Sequence, residues 1–315
     1  MVFLQPKLLK EHIPCMKLPQ ATGNKRALLV EGGGMKGAFA GGVLLGWKGK
    51  IDASDFDLVL GVSSGACSAA YFVSFAKSKW QKAEEVLAIW YRDLSGKKLI
   101  NLFHPFRGKT FLDQEYLIDY IFREKVRLAS ERFNTIGVPE FRIAVSNLKT
   151  HAVEYVKATQ ENIFHLLKAA TSLPIATRGK QILDGIPYSD AAILNPLPLK
   201  DLVEAGYKEI VIVMNNPLDH VSRPLGFWTS HMAFPLQRKV RRLMRKLHHF
   251  HFNSSRAMAK SPPPGIAIRT VAPEAPLPVN LTGTSKWSLW KTALLGVEAG
   301  KKTAFSFRSK RALEL

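Results

Sequence analysis

Two glycine-bracketed turns carry the residues of this chain best placed to do chemistry. In Gly61-Val62-Ser63-Ser64-Gly65 the G-x-S-x-G spacing leaves room for a sharp bend that lifts the central hydroxyl to the head of a helix. Ser63 is therefore the candidate nucleophile, Gly61 and Gly65 form its elbow, and Ser64 is a spacer that points elsewhere. One unit upstream, Gly32-Gly33-Gly34-Met35-Lys36-Gly37 forms a second turn. Its backbone N–H groups, at the head of a helix, can hold an oxyanion. A serine hydroxyl also needs a base, and histidine after an acid is the usual choice in α/β-hydrolases. Histidines follow Ser63, from His104 to His251, but none sits in a loop after a core strand and an acid; His248, His249 and His251 end a basic run.

The first turn also satisfies G-x-G-x-x-G, so a nucleotide-binding reading has to be weighed. A dinucleotide fold places an acidic residue at the end of its second strand; here Asp55 and Asp57 precede that strand and Gly61 occupies its end. A Walker loop is excluded because the Lys-Ser/Thr pair is missing. The two cysteines, Cys15 and Cys67, give neither a disulfide framework nor a paired zinc-ligand pattern, so no metal or organic cofactor is expected.

The elements that must position these residues follow from hydrophobic patterning. Ala27-Leu28-Leu29-Val30 is a buried strand entering the glycine turn, and 35–47 is a helix rich in small residues. Asp57-Leu58-Val59-Leu60 repeats the plan, followed by a helix over 66–76. Two strand-to-helix units in succession predict an α/β fold with a mostly parallel central sheet flanked by helices. Helices are expected over 80–92, 112–122 and 161–170, and strands over 141–146, 152–156, 208–213 and 266–271. The Asp184-Gly185 pair between short apolar runs marks a hairpin.

The glycine turn, the G-x-S-x-G elbow and a later Asp-small-small triplet together resemble the patatin-like phospholipase family, bacterial type. The resemblance is strong from about residue 27 to 213 and includes Thr171-Ser172-Leu173-Pro174. It implies a serine lipid acyl hydrolase whose base is an aspartate, a Ser-Asp dyad. Two aspartates compete for that role, Asp184 in Asp184-Gly185-Ile186 and Asp190 in Asp190-Ala191-Ala192. The family's surroundings fit Asp190, with Tyr188 before it and Asn195-Pro196-Leu197-Pro198 after it; Asp184 is then the hairpin turn. By the same resemblance Gly32, Gly33, Gly34, Lys36 and Gly37 form the oxyanion loop. One departure is Ala191, where the family has glycine. If that position needs a positive φ, alanine costs on the order of 1 kcal/mol.

With 315 residues and 46% apolar composition the chain can bury a large core, and no uninterrupted apolar run is long enough to span a bilayer. Lysines interrupt the N-terminus before a secretory signal could form, so a cytoplasmic location is expected, peripheral on the inner face of a membrane. The organisation expected is an N-terminal arm over 1–25, a catalytic core over 26–215 and a basic region over 216–315 that packs on or extends the same domain. The net charge of +20 is concentrated there, since residues 219–315 hold 17 basic and 4 acidic residues. Within it, 236–247 alternates an apolar stripe (Leu236, Val240, Leu243, Met244, Leu247) with six cations. That helix would either lie on an anionic membrane surface or pack on the core. Nucleic acid is not an expected partner, because no recognition motif accompanies the charge. The alternatives to a lipid or acyl-ester hydrolase are a membrane-docking protein that kept the fold and lost turnover, which Ala191 would favour, and a nucleotide-binding protein.

Overall fold

The computed structural model describes residues 16–77, 82–224, 226 and 238–311, together with the side chains in these ranges except at 239, 240 and 305–311. Cys15, Trp80 and Leu236, which entered the sequence reading, lie outside the described residues. In chain order the elements are β1 (Arg26–Val30), α1 (Gly37–Gly46), β2 (Leu58–Val62), α2 (Ser64–Ser74), α3 (Ala83–Ala88), β3 (Glu140–Asn147), β4 (Ala152–Lys157) and α4 (Ile163–Ala170). They continue with β5 (Gln181–Leu183), β6 (Ile186–Asp190), α5 (Leu199–Glu204), β7 (Glu209–Val213), α6 (Arg238–Lys260), β8 (Ala267–Val271) and α7 (Lys286–Arg311).

The eight strands form one sheet in the order β5-β6-β3-β2-β1-β7-β8, with β4 paired to the other edge of β3. The β1, β2, β3, β7 and β8 pairings along this order are parallel, while β4, β5 and β6 join antiparallel. This is the α/β architecture with a mostly parallel sheet that the repeated strand-to-helix pattern predicts. Central strands β1 and β2 are buried on both faces, which is why they are continuous apolar runs rather than alternating ones.

The expected helix over 112–122 is a π-type helix over Glu115–Lys125. It buries Leu117, Ile118, Ile121 and Phe122, one face spaced by three, four and five residues. Residues 16–25 run along the domain: Leu18 is buried, Tyr155 N donates to Met16 O at 2.8 Å and Ala21 N to Ala205 O at 2.7 Å.

From the basic C-terminal third, β8 pairs with β7 and α7 packs against α1. The two helices touch backbone to backbone through Gly42 and Gly46 on one side and Gly296 and Gly300 on the other. A Cβ on Gly296 would strike the Phe39 carbonyl and one on Gly42 the Ala293 carbonyl. A bulky residue in this seam should therefore behave as overpacking. Gly296→Val is expected to destabilise the protein by at least about 3 kcal/mol, whereas Gly265→Ala, at a positive φ but in open space, should cost only about 1 kcal/mol. Urea denaturation of the two variants checks the contrast.

Candidate active site

Ser63 sits between β2 and α2 with φ 51° and ψ −130°, a backbone conformation that a non-glycine residue holds only under strain. The bend is kept by close contacts on both sides. A side chain at Gly65 would run into the Val30 and Glu31 carbonyls, so α2 can start directly under the end of β1. Gly61 gives the same clearance to Ala66. Ser64 is the first residue of α2 and packs beside Gly37.

Asp190 is the last residue of β6 and is fully buried. Its position relative to Ser63 is set by β3. Ala144 of β3 pairs with Val62, and the next residue, Val145, pairs with Asp190. Since β4 occupies the opposite edge of β3, β2 and β6 follow one another along the same edge and meet at their C-terminal ends. Asp190 is further anchored by its N–H to Ser172 O at 3.0 Å, its carbonyl to the Ser146 hydroxyl at 2.9 Å, and Oδ1 to Ala192 N at 2.8 Å. Oδ2 is buried and, the neighbouring Ser63 hydroxyl apart, has no hydrogen-bond partner among the described residues. Burial raises the carboxyl pKa from 3.8 to about 7, against the pull of the neighbouring Ser63 hydroxyl and the Ala192 amide.

Asp184 is exposed at the β5–β6 hairpin tip, with φ 48°, followed by Gly185 at φ 72°. Those values suit a tight hairpin turn and place it outside the cavity lined by Ser63 and Asp190. Ala191 opens a short 3-10 turn and does not have a positive φ, so alanine at this position carries no left-handed strain.

The glycine loop lies beside the serine. A Cβ on Gly32 would stand 2.7 Å from Ser63 Cβ. Gly33 and Gly34 have φ 155° and 55°, and their amides have no hydrogen-bond partner among the described residues, which leaves two N–H groups for a ligand. Gly37 is set apart from this group: it is the first residue of α1, and its missing side chain makes room for Trp90 and Ser64. Lys36 Nζ donates to Asn216 Oδ1 at 2.7 Å, and burial lowers its pKa.

Sequence reasoning missed what braces this loop. Glu31 and Arg256 form an ion pair at 3.0 Å with both side chains 3% exposed. Asn215 donates its backbone N–H to Glu31 Oε2 at 2.5 Å and its side-chain amide to Glu31 O at 2.8 Å, while its Oδ1 accepts from Ala40 N at 3.1 Å. Arg256 also donates to Pro217 O at 2.6 Å and stacks on Phe252. Burial raises the Glu31 carboxyl pKa against the attraction of Arg256. No local signal marks a pair of residues so far apart in the chain.

Ser63, Asp190 and the loop open on one cavity of about 1090 Å³. Its walls are mostly apolar and include Leu44, Phe72, Phe75, Leu87, Trp90 and Leu117. Cys67 lies in the same wall, and burial, reinforced by the Asp190 charge, pushes its thiol up to about 12, so it is not a competing nucleophile. Among the described residues no histidine is hydrogen-bonded to Ser63 or Asp190. His248 reaches the cavity but its Nδ1 donates to Ala192 O at 2.5 Å, and burial lowers its pKa. No group of metal-ligating side chains is present among the described residues.

The expected stripe on α6 is used for packing where it is described. Met244 is buried with Ile193 and Leu194, and Leu243 packs on the same cluster, while Arg242, Arg245 and Lys246 face outward.

The buried pair makes a pH-dependent expectation. In Arg256→Met the Glu31 carboxylate would lose its partner, and its folded pKa would climb further above the unfolded value. A carboxyl raised in the fold loses stability as pH rises between those two values. Arg256→Met should therefore cost about 3–5 kcal/mol at pH 8 and less at pH 5, measured by urea denaturation at both.

Comparison with known proteins places the site in context. The family model described as Patatin-like phospholipase matches residues 28–203. The chain is 24% identical over 260 residues to "Uncharacterized protein YjjU" of Escherichia coli (strain K12), covering 80% of this chain and 69% of that protein. Among solved structures it aligns with VipD from Legionella pneumophila at a TM-score of 0.45 and 11% identity, over 95% of this chain and 72% of that one. The matched span holds the glycine loop, the serine elbow and the aspartate, and the chain belongs to the patatin-like phospholipase family.

Proposed function

We propose that the protein is a serine lipid acyl hydrolase, a carboxylic ester hydrolase of phospholipase or lysophospholipase type, working through Ser63 and Asp190. The observation that carries this reading is the β3 edge, which sets a buried carboxylate with a pKa of about 7 beside a strained serine at the mouth of a largely apolar cavity. Asp190 takes the Ser63 proton as the hydroxyl attacks the ester carbonyl. The amides of Gly33 and Gly34, with the N-terminus of α2, stabilise the oxyanion. Its collapse expels the alcohol, which leaves with the proton returned by Asp190. Water, deprotonated by the same carboxylate, then attacks the acyl-enzyme, and Asp190 returns that proton to Ser63 Oγ as the fatty acid is released. The apolar walls suit the acyl chain and exclude bulk water from the carboxylate, which keeps its basicity high.

Ser63→Ala and Asp190→Asn are expected to lose activity to similar extents, by about a thousandfold or more, because residues acting as a unit fail together. Asp184→Asn should stay within about twofold, since asparagine also favours such a turn. Steady-state hydrolysis of a soluble chromogenic ester measures all three; loss in Asp184→Asn with Asp190→Asn active would move the base to the hairpin.

The same carboxyl sets a pH dependence. The base works when ionised, so kcat/KM should rise about tenfold per pH unit below 7 and level off above it. For stability the sign is opposite. The folded state holds the proton up to about 7 and the unfolded state only to 3.8, so ionising Asp190 costs stability progressively across that window. Asp190→Asn should therefore be more stable than the parent at pH 8 and closer to it at pH 4, by thermal melting.

A further inference from the structure

The rim of the cavity carries a belt of exposed apolar side chains that the dyad chemistry does not use. Among the residues lining the cavity Leu102 is 75% exposed, and Phe103, Ile175 and Leu281 are exposed with it; Phe106, 86% exposed, lies against Phe103. Several large apolar side chains left exposed together mark a surface that meets something. They belong to one structure rather than to scattered loops. Gly96 N donates to Thr284 O at 2.8 Å and Leu112 N to Ala176 O at 2.7 Å, which joins the segment 96–112 to the segments 172–183 and 275–297. Leu281 reaches inward as well, because its carbonyl accepts from Met35 N at 3.0 Å beside the glycine loop. Ile175 is held at φ 71°, a costly conformation for a β-branched residue, with its side chain outside the core.

Charge selects the occupant. These three segments contain no aspartate or glutamate. Lys98, Arg107, Arg178 and Lys180 are exposed and make no ion pair among the described residues. Aromatic and aliphatic side chains interleaved with unpaired cations match the headgroup boundary of an anionic bilayer, where the rings enter the acyl edge and the cations meet phosphate. The described part of the α6 stripe cannot serve in this way, because it is already covered by the domain.

We propose that this rim is the surface by which the protein docks on an anionic lipid bilayer, with the cavity mouth against the membrane. Ester substrate then passes from the bilayer into the cavity without crossing water. The proposal rests on the acyl hydrolase reading for its orientation, while docking itself is read separately from turnover.

The test is flotation with vesicles of phosphatidylcholine alone or containing phosphatidylglycerol, using the full chain and its Ser63→Ala form. The rim variant combines Lys98→Glu, Phe106→Ser and Arg107→Glu, all outside the cavity lining; the control combines Arg242→Glu and Lys246→Glu on α6, an equal change of charge. Both parent and Ser63→Ala protein should bind the anionic vesicles in a salt-sensitive way and the neutral ones weakly. The rim variant should lose at least about tenfold in anionic-vesicle affinity and the control less than about twofold. Hydrolysis of a soluble short-chain ester should be unchanged in the rim variant, which also shows that it is folded. Equal losses in rim variant and control, undiminished binding by the rim variant, or equal binding of the parent to neutral vesicles would each overturn the proposal. A parent that binds no vesicle also overturns it and leaves the rim to a protein partner.

Discussion

Along one edge of β3, Ala144 pairs with Val62 and Val145 with Asp190, so two strands arriving from opposite directions end on adjacent rungs. A parallel and an antiparallel neighbour sharing one strand edge is a backbone arrangement, and it brings Ser63 and Asp190 together. The remaining parts of the fold serve that junction. Ser172 and Ser146 hold the backbone of Asp190 from either side, and the tight packing at Gly65 holds the serine bend under β1.

Such a junction is costly. A strained serine and a fully buried carboxyl both lower stability, and the Ser63 hydroxyl and Ala192 amide offset the second only in part. What offsets them is the surrounding structure, with the apolar, buried residues Ala27–Val30 of β1 and Leu58–Val62 of β2 at the sheet centre and the α1–α7 seam packed backbone to backbone. The glycine loop has a brace of its own. The Glu31 carboxylate accepts from Arg256 and from the Asn215 amide, so the residue just before the three glycines is held on several sides while Gly33 and Gly34 keep free amides. Rigidity next to unsatisfied donors is what an oxyanion site requires, since donors that must reorganise contribute less.

Much of this was legible in the sequence where the signal is local. The strand-turn-helix units around Gly32 and Ser63 appear as apolar runs meeting glycines, and Asp184-Gly185 announced a hairpin whose second strand ends at Asp190. The choice between the two aspartates rests on motif surroundings; the structure exposes Asp184 at the hairpin tip and buries Asp190. The long-range parts were not legible. Nothing near Glu31 points to Arg256, and the amphipathic pattern of α6 looks the same whether its stripe faces a bilayer or, as at Met244, the domain. The concern over Ala191 came from a motif comparison that carries no dihedral angle; the backbone there is an ordinary one for alanine. The π-type winding of Glu115–Lys125 also escaped, because a spacing of apolar residues by three, four and five is close to that of an α-helix.

The brace around the glycine loop has a consequence for the order in which the molecule is completed. Glycine loop, serine and aspartate are all present once residue 190 has been made, yet Asn215, Arg256 and the Leu281 carbonyl that accepts from Met35 come later in the chain. All three lie beyond the span 28–203 that the family shares. During synthesis Ser63 and Asp190 therefore exist before the parts that hold the site in place, and the glycine loop acquires its support only as the C-terminal segments emerge.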